Sequence, residues 1–153
     1  MGDELNSVDK FANLLRGRKF KSIVENCFSD IKDKYNLKQI DVDILLYMGV
    51  YEKVSACDLC KTLNLNKGQV SIAFDRLCEQ GYVEINKSDS NRKCFYTLTD
   101  LGKEIAASTD KMHSILTLNV FKGFSEKEIA LIRDYSERIM DNIDYICTNG
   151  IER

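Results

Sequence analysis

Apolar residues at Val70, Ala73, Phe74 and Leu77 recur at i, i+3, i+4 and i+7, which predicts a helix with one buried face. Asn66 stands where an N-cap belongs, and Gln69 follows at the third helical position, a capping-box spacing. Gly81 ends the pattern. At 100° per residue, Gly68, Ile72 and Asp75 point away from the apolar face, with Gln69, Ser71 and Arg76 flanking them. The outward surface therefore starts small and polar, suited to a groove. A shorter helix precedes it, capped by Ser55 with Asp58 at its third position and with Ala56, Leu59, Cys60 and Leu63 on its apolar face. A short helix, a tight link at 64–66 and an amphipathic second helix make a helix-turn-helix. After Gly81 the period changes to two, so 82–85 and 94–98 read as strands around the polar, charged stretch 86–93.

The flanks are helical. A first helix starts at Ser7, carries Phe11, Leu14 and Leu15, and bends or breaks at Gly17. A wider stripe follows, from Phe20 through Ile23, Val24, Cys27, Phe28 and Ile31 to Tyr35, broad enough to pack in its own core and against a second subunit. Asn36 ends this helix. The next spans 37–50, with Ile40, Ile44, Leu45 and Met48 inside and Asp41 and Asp43 outside. Thr99 caps a helix over 100–121 with Ile105, Met112, Ile115, Leu116 and Val120 on its apolar side. Ser125 and Glu128 form a capping box for the last helix. There Ile129, Ile132, Tyr135, Ile139, Ile143 and Ile146 make a narrow seam close to a coiled-coil pattern. The expected fold class is mostly α with a small antiparallel β wing, α+β: a winged helix-turn-helix lobe and a helical dimerisation lobe.

Composition sharpens this picture in a few places. The 153 residues include no Pro, which leaves long helices uninterrupted. No apolar run approaches the roughly 20 residues of a membrane span, and the acidic start MGDELNSVDKF lacks the apolar core of a signal peptide. These features predict a cytoplasmic protein. Net charge is −2, but it is unevenly spread: 16–38 and 61–93 are basic in balance and 123–153 is acidic.

Candidate chemistry is sparse. Cys57 and Cys60 form a C-x-x-C on one helix face, without a second pair at zinc spacing. The six cysteines read as small packing residues, with a thiol sensor as the alternative. His113 has no partner at metal-ligand spacing, and no metal or other cofactor is expected. No phosphate loop, nucleophile elbow or paired carboxylates appear, so the chain is not expected to be an enzyme. Phe20, Phe28, Tyr47 and Tyr51 are candidates to line a crevice for a small-molecule effector.

The run Leu63, Asn64, Leu65, Asn66, Lys67, Gly68, Gln69, Val70 and Ser71, then Asp75, Arg76 and Leu77, then Gly81, Tyr82 and Val83, resembles regulators of the multiple-antibiotic-resistance (MarR) family. The sequence Leu98, Thr99, Asp100, Leu101, Gly102 is similar to the family's leucine-threonine, two residues, glycine signature. The resemblance covers nearly the whole length. It implies one MarR-like domain over 1–153, with a DNA-binding lobe at 37–99 and a dimerisation lobe from 6–35 and 100–153. It also implies a homodimer on a pseudo-palindromic operator in double-stranded DNA, most often as a repressor. Two positions depart from the pattern. Ile72 stands where the family often has Arg after the serine, and Arg92 is preceded by Ser90, not by Asp two positions before it. Lys67, Arg92, Lys93 and the flanking Arg76 are expected at the DNA backbone or minor groove. Gln69 and Ser71 are expected to read bases, Gly68 to permit close approach, and Ile72 to touch a thymine methyl. The alternatives are a thiol-based redox-sensing regulator and a winged-helix adaptor that binds protein and not DNA.

Overall fold

The computed structural model describes residues 10–87 and 94–153. In chain order these form α1 Lys10–Arg16, α2 Arg18–Cys27, α3 Ser29–Tyr35, α4 Gln39–Val50, α5 Ala56–Thr62, α6 Lys67–Glu79, β1 Val83–Lys87, β2 Cys94–Leu98, α7 Asp100–Val120 and α8 Glu126–Asn149. The chain divides into two compact units, one through Leu116 and one over Thr117–Arg153.

The expected start of the first helix at Ser7 lies outside the described residues. Gly17 does break the helix, in the left-handed region at φ +67° that glycine enters without strain. A second break falls at Phe28, which the periodicity did not predict: the residue leaves helical geometry while its ring is buried in the core. Asn36 ends α3 in the left-handed conformation, and the Leu37 N–H donates to the Lys32 carbonyl at 2.8 Å.

The first unit's core gathers Val42, Ile44 and Leu45 from α4, Leu59 from α5, Val70, Phe74 and Leu77 from α6, and Ile105 from α7. The strands pair antiparallel, from Val83 opposite Leu98 to Lys87 opposite Cys94. Val54 adds one bridge, donating to the Tyr96 carbonyl at 3.1 Å and accepting from its N–H at 2.8 Å. The Tyr96 ring stacks on Phe74 with centroids 3.6 Å apart and planes 3° from parallel. The base of the wing is thereby fastened to α6. Burial, with smaller contributions from Cys94, Cys78 and Asp75, pushes the Tyr96 phenol upwards, so it stays neutral.

Thr99 ties the hairpin to what lies on either side of it. Its N–H donates to the Tyr82 carbonyl at 3.1 Å, its hydroxyl donates to the Gly81 carbonyl at 2.7 Å, and the same oxygen accepts from the Gly102 N–H at 3.0 Å. Gly102 is buried where a Cβ would lie 1.9 Å from the Tyr82 carbonyl oxygen, so only glycine fits.

In the second unit the end of α7 turns through Gly123, and Phe121 and Phe124 meet edge to face at 6.0 Å. The capping box of α8 is formed: the Ser125 N–H and hydroxyl donate to the Glu128 carboxylate at 2.7 and 2.8 Å, and the Glu128 N–H donates back to Ser125 Oγ at 3.3 Å. The Ser125 backbone N–H, then its hydroxyl, hold the Glu128 carboxyl below its usual value of 4.5. A carboxylate whose folded pKa is depressed stabilises the fold above its unfolded pKa and ceases to as pH falls through the folded one. An acid titration followed by NMR is expected to show the start of α8 fraying as Glu128 protonates. In Glu128→Gln that pH dependence is expected to vanish; if it persists, another group carries it.

Candidate nucleic-acid interface

The start of the exposed face of α6 is shaped by its cap. Asn66 Oδ1 accepts from the Gln69 N–H at 2.8 Å, and Gln69 Oε1 accepts from the Asn66 N–H at 3.1 Å. Gln69 keeps its side-chain N–H donors and one lone pair of Oε1 for another partner. Val70, Ala73, Phe74 and Leu77 are buried, as the spacing predicts. Lys67, Gly68, Gln69, Ser71 and Ile72 are exposed together on the first two turns. Ile72 is 64% exposed, a large apolar side chain offered to solvent among small polar neighbours. A Cβ on Gly68 would meet only Asn66 Oδ1, at an ordinary 3.4 Å, so nothing in the chain itself requires glycine there.

Arg76 lies on the same flank of α6 as Gln69, but its guanidinium is turned from solvent towards α4. Its Nε–H donates to Asp41 Oδ2 at 3.0 Å, and a terminal N–H donates to Oδ1. Asp41, expected to point outwards from α4, is fully buried and also accepts from the Lys38 N–H at 2.7 Å. The reason is electrostatic: a carboxylate away from water needs a cation and donors, and Arg76 supplies a planar fork. The pair joins residues 35 positions apart, and no local pattern signals it. Arg92 and Lys93 lie outside the described residues. The strands on either side of that stretch are described and are fastened to α6 through Tyr96.

The four aromatic candidates for an effector site are not brought together. Phe28 is buried in the core, and Phe20 is half exposed on α2. Tyr47 and Tyr51 do meet, with ring centroids 4.6 Å apart. Tyr51 lines a cleft of about 790 Å³ between the C-terminal end of α4, the end of β2 and the first half of α7. Its walls include Met48, Val50, Leu98 and Ala106, with Lys53, Lys103, Glu52 and Asp110 among the polar groups. Gly49 faces α7, where a Cβ on it would meet the Ala106 Cβ at an ordinary 3.6 Å. Sequence periodicity did not single out these walls, because they come from three elements distant in the chain.

Among the described residues no group of three His, Cys, Asp or Glu could hold a metal ion. Cys57 is exposed, and Cys60 is partly buried against the core. Burial, then the Asp75 charge, push the Cys78 thiol upwards, which favours its protonated form. No helix among the described residues is long and apolar enough to cross a membrane.

Residues 37–102 match the family model described as winged helix DNA-binding domain. A curated relative from Bacillus subtilis (strain 168), the uncharacterized HTH-type transcriptional regulator YvnA, is 29% identical over 84 residues, 54% of this chain and 52% of the relative. The match thus spans about half the length of that relative. Among solved structures, a MarR family transcriptional regulator from Listeria monocytogenes complexed with 26mer DNA is 19% identical with a TM-score of 0.79, over 95% of this chain and 97% of that one. Streptococcus pneumoniae FabT in complex with DNA is 18% identical with a TM-score of 0.73, over 90% and 98%. At this identity the likeness is one of fold.

Proposed function

We propose that this chain, whose residues 37–102 match a winged helix DNA-binding domain and whose fold is like that of solved MarR regulators, is a homodimeric, sequence-specific transcriptional regulator. It acts as a repressor that a small-molecule ligand releases from DNA. One observation carries the reading: α6 presents Lys67, Gly68, Gln69, Ser71 and Ile72 together on an exposed face beside a wing fastened to the same helix. Such a helix fits the major groove while the wing reaches the adjacent backbone. The solved complexes of similar fold with DNA support it.

The contacts divide by kind. Lys67 at the helix start meets phosphate, and Arg92 and Lys93 from the wing reach the DNA minor groove or the phosphates. Gln69 pairs bidentately with adenine, Ser71 is a permissive reader, and Ile72 packs on a thymine methyl. The operator is therefore an A·T-rich pseudo-palindrome with half-sites about one helical turn apart. The dimer forms through 6–35 and 100–153, which leaves 37–99 as the reading lobe. The cleft beside Tyr51 is the candidate effector site.

Binding to operator and random duplex across a salt series tests the division. Arg92→Ala is expected to weaken both duplexes and to lower the salt slope by roughly one. Gln69→Ala is expected to cost about 1–3 kcal/mol on the operator alone. Equal weakening of both duplexes by Gln69→Ala, or an unchanged slope in Arg92→Ala, overturns these roles.

A further inference from the structure

The apolar face of α6 and the Phe74–Tyr96 stack seat the helix in the core, but the hydrophobic effect itself is non-directional. The bidentate Arg76–Asp41 pair is directional. Asp41 is fully buried and receives three donors: Arg76 Nε–H, an Arg76 terminal N–H and the Lys38 N–H. The carboxylate is thus immobile on α4, and the planar fork can face it in one orientation only. Arg76 is seven residues after Gln69, and seven steps of 100° bring it back within about 20° of the same side of α6. The clamp therefore lies in line with the residue that reads the base. On a helix about 5 Å in radius, a roll of about 20° moves a side chain by roughly 2 Å, enough to break a base-edge hydrogen bond. Stability alone gives little reason for the pair, since buried ion pairs are often matched or exceeded by apolar residues of the same volume.

We infer that Asp41 and Arg76 are positioning residues for DNA recognition: their buried fork sets the roll of α6 on α4 and so aims Gln69, Ser71 and Ile72, while Arg76 itself does not contact the DNA backbone. The inference rests on the DNA-binding reading above.

Two variants test it, each measured for melting temperature and for affinity to operator and random duplex across a salt series. In Asp41→Leu with Arg76→Met both charges go and both side chains become apolar. That protein is expected to fold, melting somewhat lower than the parent because the Lys38 N–H loses its acceptor. Its random-duplex affinity and salt slope stay as in the parent, while its preference for operator falls roughly tenfold or more. Arg76→Lys keeps the charge but not the fork; it is expected to lose part of the operator preference at an unchanged slope, and it decides the matter if the double variant does not fold. Full operator preference in a folded double variant would reduce the pair to a packing feature and overturn the inference. A salt slope lower by about one in the double variant, but not in Arg76→Lys, would place Arg76 on phosphate and also overturn it. If the parent shows no preference for operator over random duplex, the DNA-binding reading itself fails, an outcome distinct from either of these.

Discussion

Gly102→Ala is expected to be among the most damaging single-methyl additions in the chain. The new Cβ would lie 1.9 Å from the Tyr82 carbonyl oxygen and 3.0 Å from its carbon. Both are backbone atoms, so no side-chain rotation relieves the clash, and either α7 or the turn after α6 has to move. Moving the turn breaks the Thr99 N–H bond to the same Tyr82 oxygen. Overpacking of this kind costs about 3 kcal/mol or more, which for a chain of this size lowers the melting midpoint by roughly 6–12 °C. Gly68→Ala is the control: its Cβ has room at 3.4 Å, and alanine in a helix is favoured by about 1 kcal/mol over glycine. Thermal melting of the two variants checks the contrast. A Gly102→Ala protein that melts with the parent would mean that the two backbones are not held in this close approach.

Ile139→Asp is expected to break the proposed dimer. In the single chain Tyr135, Ile139, Ile143 and Ile146 remain between 38% and 51% exposed, a row of large apolar side chains along one side of α8. Solvent is a poor environment for such a row, and a second copy covering it is what supports the dimer. A carboxylate in the middle of that buried row would have no cation to meet. Leaving one charge unpaired in an interface costs roughly 3–5 kcal/mol, a weakening of about two to four orders of magnitude in dissociation constant. Sedimentation at micromolar concentration is the measurement: twice the chain mass for the parent, and a monomer or an unfolded chain for the variant. A parent that sediments as a monomer removes the dimer from the proposal.

The parts of this molecule that were legible in the sequence are those set by neighbours along the chain. The caps of α5, α6 and α8 were readable because Ser55 and Asp58, Asn66 and Gln69, and Ser125 and Glu128 satisfy each other within one turn. The buried face of α6 was readable because a helix repeats every 3.6 residues. What escaped was set by partners far away in sequence. Asp41 has the look of an exposed acidic residue until Arg76 comes to meet it. Phe28 belongs to a regular stripe, yet its ring goes into the core where the helix breaks. Of the four aromatics read as a crevice, Tyr51 lines the cleft described above, whose other walls come from α4, β2 and α7 at once. The exposure of Lys67, Gly68, Gln69, Ser71 and Ile72 follows from periodicity, whereas the turn of the Arg76 guanidinium towards α4 does not.

The fastening at Thr99 has a consequence for how such a protein can change over time. The hydroxyl and N–H of Thr99 hold Gly81 and Tyr82 from below, at the end of the hairpin where Val83 faces Leu98. The hairpin is thus held at its base, where Val83 and Leu98 pair. Lengthening the connection between Lys87 and Cys94 costs little, about 0.6 kcal/mol for each doubling. Insertions, deletions and grafted sequences there are expected to leave α6 where it is. The wing is thereby an interchangeable part: a lineage can try new tips, with new charge and reach, on an unchanged α6.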